Sequence, residues 1–179
     1  MYAPDTGIYI AHNDFGGRAT WGATFGGYND TDDNGHGTHT ASTAVGAQYG
    51  IAKAASIIAV KVLGADGNGA YSDIIAGIEW VMNAATTSGK PSVANMSLGG
   101  PSSDAIDQAV QNAIDAGVHF AVAAGNAGED ADGTSPARGK SHRLTFSNHS
   151  KAFVYSCGSQ HCGCSRPFKR GVSMAHLRS

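Results

Sequence analysis

The sequence predicts an α/β fold, a doubly wound, mostly parallel sheet with helices on both faces. Three observations predict it. Helix-period segments alternate with short apolar runs, the links between them are short, and polar and glycine residues gather directly after the apolar runs. Strand, helix, strand, helix, strand with short links calls for right-handed crossovers and a parallel sheet covered by helices. In such sheets ligands bind beyond the carboxyl ends of the strands. The glycine-rich ends are therefore where a site is expected.

Each element follows from its residues. Residues 56–63 (SIIAVKVL) are apolar and partly β-branched, the pattern of a buried strand. A glycine-rich loop, 64–70, follows. Ser72 is a candidate cap for a helix in which Ile74, Ile75, Ile78, Val81, Met82 and Ala85 recur at helical spacing, closed by Gly89-Lys90-Pro91. Residues 93–98 read as a strand ended by Gly99-Gly100-Pro101. Ile106, Ala109, Val110, Ala113 and Ile114 mark a second helix stopped by Gly117, and 118–124 the next strand. Upstream, residues 1–4 lead to Asp5, and 40–47 form a small-residue helical stretch. Pro4 removes a ladder hydrogen bond from that lead, and a short or distorted first strand would misplace Asp5.

The chain has 179 residues, 41% of them hydrophobic, enough for a real core and too many for global disorder. It contains no apolar run of the length that spans a membrane. Its 25 glycines follow no three-residue period, which excludes a collagen-like chain. A net charge of −2 gives no whole-chain case for nucleic acid. Charge is divided sharply, however. Residues 1–136 hold all 14 acids and only Arg18, Lys53, Lys61 and Lys90 as bases. Residues 137–179 hold eight Lys or Arg, no acid, and all three cysteines. A shift this sharp places a boundary near Pro136, with a body over 1–136 and a basic, Cys-containing tail over 137–179 that is not expected to continue the fold normally. The first residues lack a basic or apolar leader, and Asp5 follows so closely that the sequence reads as missing its lead-in.

Asn34-Gly35-His36-Gly37-Thr38-His39 offers a histidine between glycines, where backbone and substrate can approach the imidazole. A histidine there can act as general base near neutral pH if a carboxylate fixes its tautomer. Asp5, at a strand end before Thr6-Gly7, can supply that carboxylate. Taken singly, His36 reads equally as a surface turn histidine and Asp5 as a turn former. His39 is expected to be packed or hydrogen-bonded near the helix start, and His12 and His119 to be ordinary.

Taken together, Asp5-Thr6-Gly7, Asn34-Gly35-His36-Gly37-Thr38-His39, Ser97-Leu98-Gly99-Gly100 and Ala123-Ala124-Gly125-Asn126 resemble, in order and spacing, the subtilisin-like serine peptidases, and within them the proteinase K branch common among secreted fungal enzymes. The resemblance covers residues 2–136. It implies that Asp5 orients the histidine, that His36 is the base and later the acid, and that Asn126 is the side-chain donor to the oxyanion. It implies that Ser97, Leu98, Gly99 and Gly100 line the first specificity pocket, with Gly69 and Ala70, in Gly67-Asn68-Gly69-Ala70-Tyr71, on the opposite edge. An extended polypeptide substrate would lie between the two edges. It further implies a secreted, monomeric enzyme with no required cofactor. Calcium is common in the family, but no matching ligands are recognisable, and no metal site, nucleic acid or membrane partner is expected.

The family nucleophile matches Gly171-Val172-Ser173-Met174-Ala175, with Val172 in place of threonine and without the usual Ser-Pro-His continuation. Ser173 is therefore the candidate nucleophile by resemblance. The stretch from Asn126 to Ser173 is shorter than the family pattern, and Phe146-Ser147-Asn148, which resembles another late segment, is displaced toward the body. Six residues follow Ser173, less than two helical turns, and a helix so short is marginal. The chain as written is thus expected to hydrolyse peptides negligibly and to leave Ser173 unlabelled by a fluorophosphonate. The alternative readings are an inactive fragment or pseudopeptidase, or a tail that binds metal or polyanions. For zinc the candidates are Cys157, His161, Cys162 and Cys164 with His142 or His149, although the spacing lacks paired Cys-x₂-Cys knuckles.

Overall fold

Tyr2–Asp5 (β1) is four residues long and lies in the interior of the sheet. The computed structural model describes residues 1–126, 128 and 130–139, together with the backbone of strands 143–148 and 151–154. In chain order the remaining elements are β2 (Ala19–Thr24), α1 (His36–Val45), β3 (Ile57–Lys61), α2 (Tyr71–Ser88), β4 (Val93–Met96), β5 (Gly100–Pro101), α3 (Asp104–Asp115), β6 (His119–Val122), β7 (Thr134–Ser135), β8 (Arg143–Asn148) and β9 (Lys151–Val154). Among the described residues seven strands form one sheet in the order β2-β3-β1-β4-β6-β8-β9. All its pairings are parallel except that of β8 with β9. From β1 the chain goes out to β2, returns to β3 beside β1, then crosses to β4 and winds outward through β6 and β8 on the other side, a doubly wound arrangement. The backbone of β8 and β9 carries the sheet past Pro136.

The two faces of the sheet bury different side chains. Along β1, Tyr2 joins the cluster under α2 and α3, with Val60, Ile78, Val81, Met96, Val110 and Phe120. Its neighbour Ala3 joins the cluster under α1, with Ala41, Val45, Ile57 and Ala59. This is the two-residue alternation of a strand buried on both sides. On the α1 side alanines make up four of the eight buried residues, beside Ile8, Phe15, Val45 and Ile57. Helices therefore cover both faces.

Pro4 does not distort β1. It pairs with Val60, and the register continues to Asp5 opposite Lys61. The Met1 and Asp5 carbonyls accept from Ile58 and Val62 on the β3 side. Alternation turns the backbone nitrogen of Pro4 toward β4, where pairing stops at Tyr2 opposite Ala94. The missing donor thus falls where no ladder bond is required.

Several boundaries differ from the sequence reading. The first helix starts at His36, four residues earlier than expected, after Gly35 at φ 100°. The N-cap of α2 is Ala70 rather than Ser72; Ala70 is extended, and Asp73 supplies the acid of the first turn. β2 has no counterpart in the sequence reading. It contains Gly22 and a register shift between Trp21 and Ala23, which erase its alternation. On α3, Ser103 caps Ile106, and Arg138 forms ion pairs with Asp104 and Asp107 that tie the segment after β7 to the helix.

Candidate active site

Asp5 stands next to His36, as the motif order and the strand–helix alternation predict. Its carboxylate is fully buried at the end of β1, and Oδ1 lies 2.7 Å from His36 Nδ1. Oδ1 also accepts the Thr6 N–H at 2.7 Å, and Oδ2 accepts the Thr40 hydroxyl at 3.3 Å. His36 opens α1, and its side chain is 44% exposed. Among the described residues only Nδ1 of its ring has a hydrogen-bond partner, which leaves Nε2 as the nitrogen available to a reactant. The hydrogen bond that His36 donates to Asp5 raises the His36 pKa above its ordinary 6.5, against partial burial, and the charges of Asp5 and Asp32 add to the rise.

Backbone contact at this corner is unusually close. A Cβ on Gly37 would stand 2.0 Å from the Gly7 carbonyl oxygen and 3.2 Å from Asp5 Cβ. Only glycine lets the first turn of α1 meet the end of β1.

Three contributors were not singled out from the sequence. Thr6 is fully buried. Its hydroxyl donates to Asp32 Oδ1 at 2.8 Å and accepts the Gly37 N–H at 2.9 Å. Asp32 also accepts the N–H groups of Gly35 and Thr38 at 2.8 and 2.9 Å, and the Thr38 hydroxyl. Burial opposes ionisation of Asp32, but these hydrogen bonds outweigh it and hold the carboxyl below its ordinary range. Lys61, fully buried on β3, donates to the Thr6 carbonyl at 2.6 Å and to Asp33 at 2.7 Å, and lies 5.2 Å from the centre of the Tyr28 ring. One signal was available: a lysine inside an otherwise apolar strand needs a buried partner.

His36 faces a cleft of about 450 Å³. Gly67 to Gly69 and Tyr71 line one rim, and Ser97 to Pro101 the other, with Leu63, Ile74, Ile106 and Ser135 below. The Tyr71 hydroxyl donates to the Pro101 carbonyl at 2.8 Å, linking the rims. Asn126 lines the same cleft. Of the expected residues, His36, Gly69, Ser97, Leu98, Gly99, Gly100 and Asn126 share this cleft, and Asp5 backs His36. Ala70 is exposed beside it as the cap of α2. Ser173 and the cysteine cluster lie outside the described residues. His39 is exposed rather than packed, and its backbone bonds Gly35 and Thr43. His12 accepts the Asp14 N–H at 3.2 Å, and His119 is exposed.

Comparison with known proteins fits this arrangement. The model of the subtilase family matches residues 4–155. The chain belongs to the subtilase family. Curated subtilase relatives include the subtilisin-like serine protease Pen ch 13 of Penicillium rubens, 54% identical over 76% of this chain and 35% of the relative. Subtilisin-like protease 6 of Arthroderma benhamiae is 47% identical over 88% of this chain and 43% of the relative. The chain therefore spans less than half the length of these curated relatives. A crystal structure of a cold adapted subtilisin-like serine proteinase superposes with a TM-score of 0.76, at 49% identity, over 80% of this chain and 52% of that one. Subtilases are generally cofactor-independent, with calcium sites in some members. Among the described residues no three His, Cys, Asp or Glu side chains are grouped to hold a metal ion. No described helix is long and apolar enough to cross a membrane.

Proposed function

We propose that this chain carries the catalytic machinery of a serine endopeptidase, with His36 as base, Asp5 as its orienting carboxylate, Asn126 as oxyanion donor and Ser173 as nucleophile. The observation that carries the reading is the 2.7 Å contact between His36 Nδ1 and the buried Asp5 carboxylate beside a cleft. It fixes the Nδ1–H tautomer and leaves Nε2 to accept a proton. In the proposed reaction Nε2 takes the Ser173 hydroxyl proton as Oγ bonds to the scissile carbonyl carbon. The carbonyl electron pair moves onto oxygen, toward which Asn126 donates. Collapse breaks the carbon–nitrogen bond, and the amine leaves with the proton from Nε2. Water then repeats the sequence and frees the acid. These proton and acyl transfers need no cofactor.

An extended peptide between the rims is supported by Gly67, Gly69, Gly99 and Gly100, which line the cleft without side chains. Family membership supports a secreted, monomeric enzyme, and leaves room for calcium. Labelling with a fluorophosphonate tests the assignment. The chain as written is expected to remain unlabelled, and stoichiometric modification at Ser173, absent in Ser173→Ala and weakened in His36→Ala, would restore the full triad. An unlabelled chain whose His36 still shows the elevated pKa would instead be a subtilase body without a competent nucleophile.

A further inference from the structure

The corner that holds His36 contains a carboxylate with no part in the reaction just described. The N-cap of α1, Gly35, has no side chain to satisfy the first N–H groups of the helix. Asp32 does this from outside the helix, accepting from Gly35 N and Thr38 N. A cap alone would end there. Asp32 Oδ1 also accepts the Thr6 hydroxyl, and Thr6 belongs to the other half of the site, directly after Asp5.

A carboxylate only accepts hydrogen bonds. It therefore commits the single hydroxyl proton of Thr6 to Asp32 and turns the hydroxyl lone pairs toward the Gly37 N–H. Meanwhile the Thr6 N–H is committed to Asp5 Oδ1. One residue thus ties the carboxylate that orients the base to the helix turn that carries it. The Gly37–Gly7 approach leaves no room for another arrangement.

We infer that Asp32 is a positioning residue for His36, acting through the Thr6 hydroxyl to hold the first turn of α1 at hydrogen-bond distance from Asp5. This rests on His36 being the base. The charged groups bearing on the imidazole are Asp5, at 2.7 Å, and Asp32, whose charge also favours the imidazolium.

The test is proton and ¹⁵N NMR of the full chain with labelled histidine, following the hydrogen-bonded Nδ1 proton and the His36 titration. The variants are Thr6→Val, Thr6→Ser, Asp32→Asn and Ser42→Ala. Thr6→Val changes no charge but removes the hydroxyl, so the Nδ1 proton resonance is expected to broaden or disappear and the His36 pKa to fall. Thr6→Ser restores both. Asp32→Asn lowers the pKa further, because its charge is lost as well. Ser42→Ala weakens α1 at its other end, where Ser42 bonds Asp14, and is expected to lower the melting temperature without moving either signal. A Thr6→Val or Asp32→Asn chain that keeps the parent resonance and pKa would overturn the inference and leave Asp32 a helix cap. If Thr6→Val does not fold, Asp32→Asn against Ser42→Ala decides. A parent chain with no such resonance and an ordinary pKa would overturn the base assignment itself.

Discussion

On the base side of the cleft, the determinants are side chains out of contact with solvent: Asp5, Thr6 and Lys61 are each fully buried, and their polar groups bond one another or α1. On the rim side, Asn68, Gly99 and Pro101 are exposed and Gly67, Gly69, Ser97, Leu98 and Gly100 half-buried, and at the glycines what the rims present is backbone. On the proposed function, the difference follows from two tasks. Holding an imidazole at a fixed distance requires carboxylates whose hydrogen bonds do not compete with water. Receiving a chain of variable side chains requires main-chain groups that are open. Substitutions should therefore cost stability on the base side and leave stability nearly untouched on the rims.

The largest effect expected is that of Gly37→Ala. The new methyl would meet a backbone oxygen at 2.0 Å, and that atom cannot swing away. A loss of about 3 kcal/mol is expected, at the upper end for overpacking, read from the denaturant midpoint. A loss below about 1 kcal/mol would mean that the corner is looser than its geometry. Next comes Lys61→Met, which keeps volume but strips the Thr6 carbonyl and Asp33 of a donor. Because Asp33 is partly exposed and can turn to water, about 2 kcal/mol is expected. Equal stability of Lys61→Met and parent would remove Lys61 from the buried set.

On the rim side, Tyr71→Phe deletes the hydrogen bond to Pro101 between exposed groups. It should cost at most about 1 kcal/mol, and any change in peptide affinity should exceed the change in stability. If Tyr71→Phe destabilises as much as Lys61→Met, the contrast between the two sides fails.

The smallest effect is one of pH. The folded-state pKa of His36 lies above its ordinary 6.5, so its contribution to stability is fully present below that value and is lost as pH rises through the folded pKa. Screening at a partly exposed ring keeps it small. Melting temperatures of parent and His36→Gln should converge as pH rises past this window. A gap that widens with pH would contradict the sign.

Most of the sheet was legible because periodicity survives wherever one residue type dominates a face, as in α2 and β3. β2 escaped because Gly22 and the shift at Trp21 break its alternation. Gly22 has its own tertiary reason: a Cβ there would meet Ile58 and Trp80 at 2.6 Å. In the site, the pairing of Asp5 with His36 was readable from motif order, because the proposed chemistry needs those residue types. Asp32 was not, because a carboxylate capping a helix from three residues before Gly35 looks in sequence like one acid among several in a loop. Pro4 is harmless in β1 because a ladder hydrogen bond matters only on the side where a neighbour is paired.

Thr6 joins pieces of chain that are distant in sequence, since its carbonyl partner Lys61 lies 55 residues further on. The parallel pairing of β1 with β3 brings them together, and pairings of such separation close late and slowly. Until they close, His36 is an ordinary solvated imidazole, whatever local helix has formed around it. Its basicity is therefore a clock for folding, switched on by topology. A titration of His36 during refolding would date the closure of the central sheet.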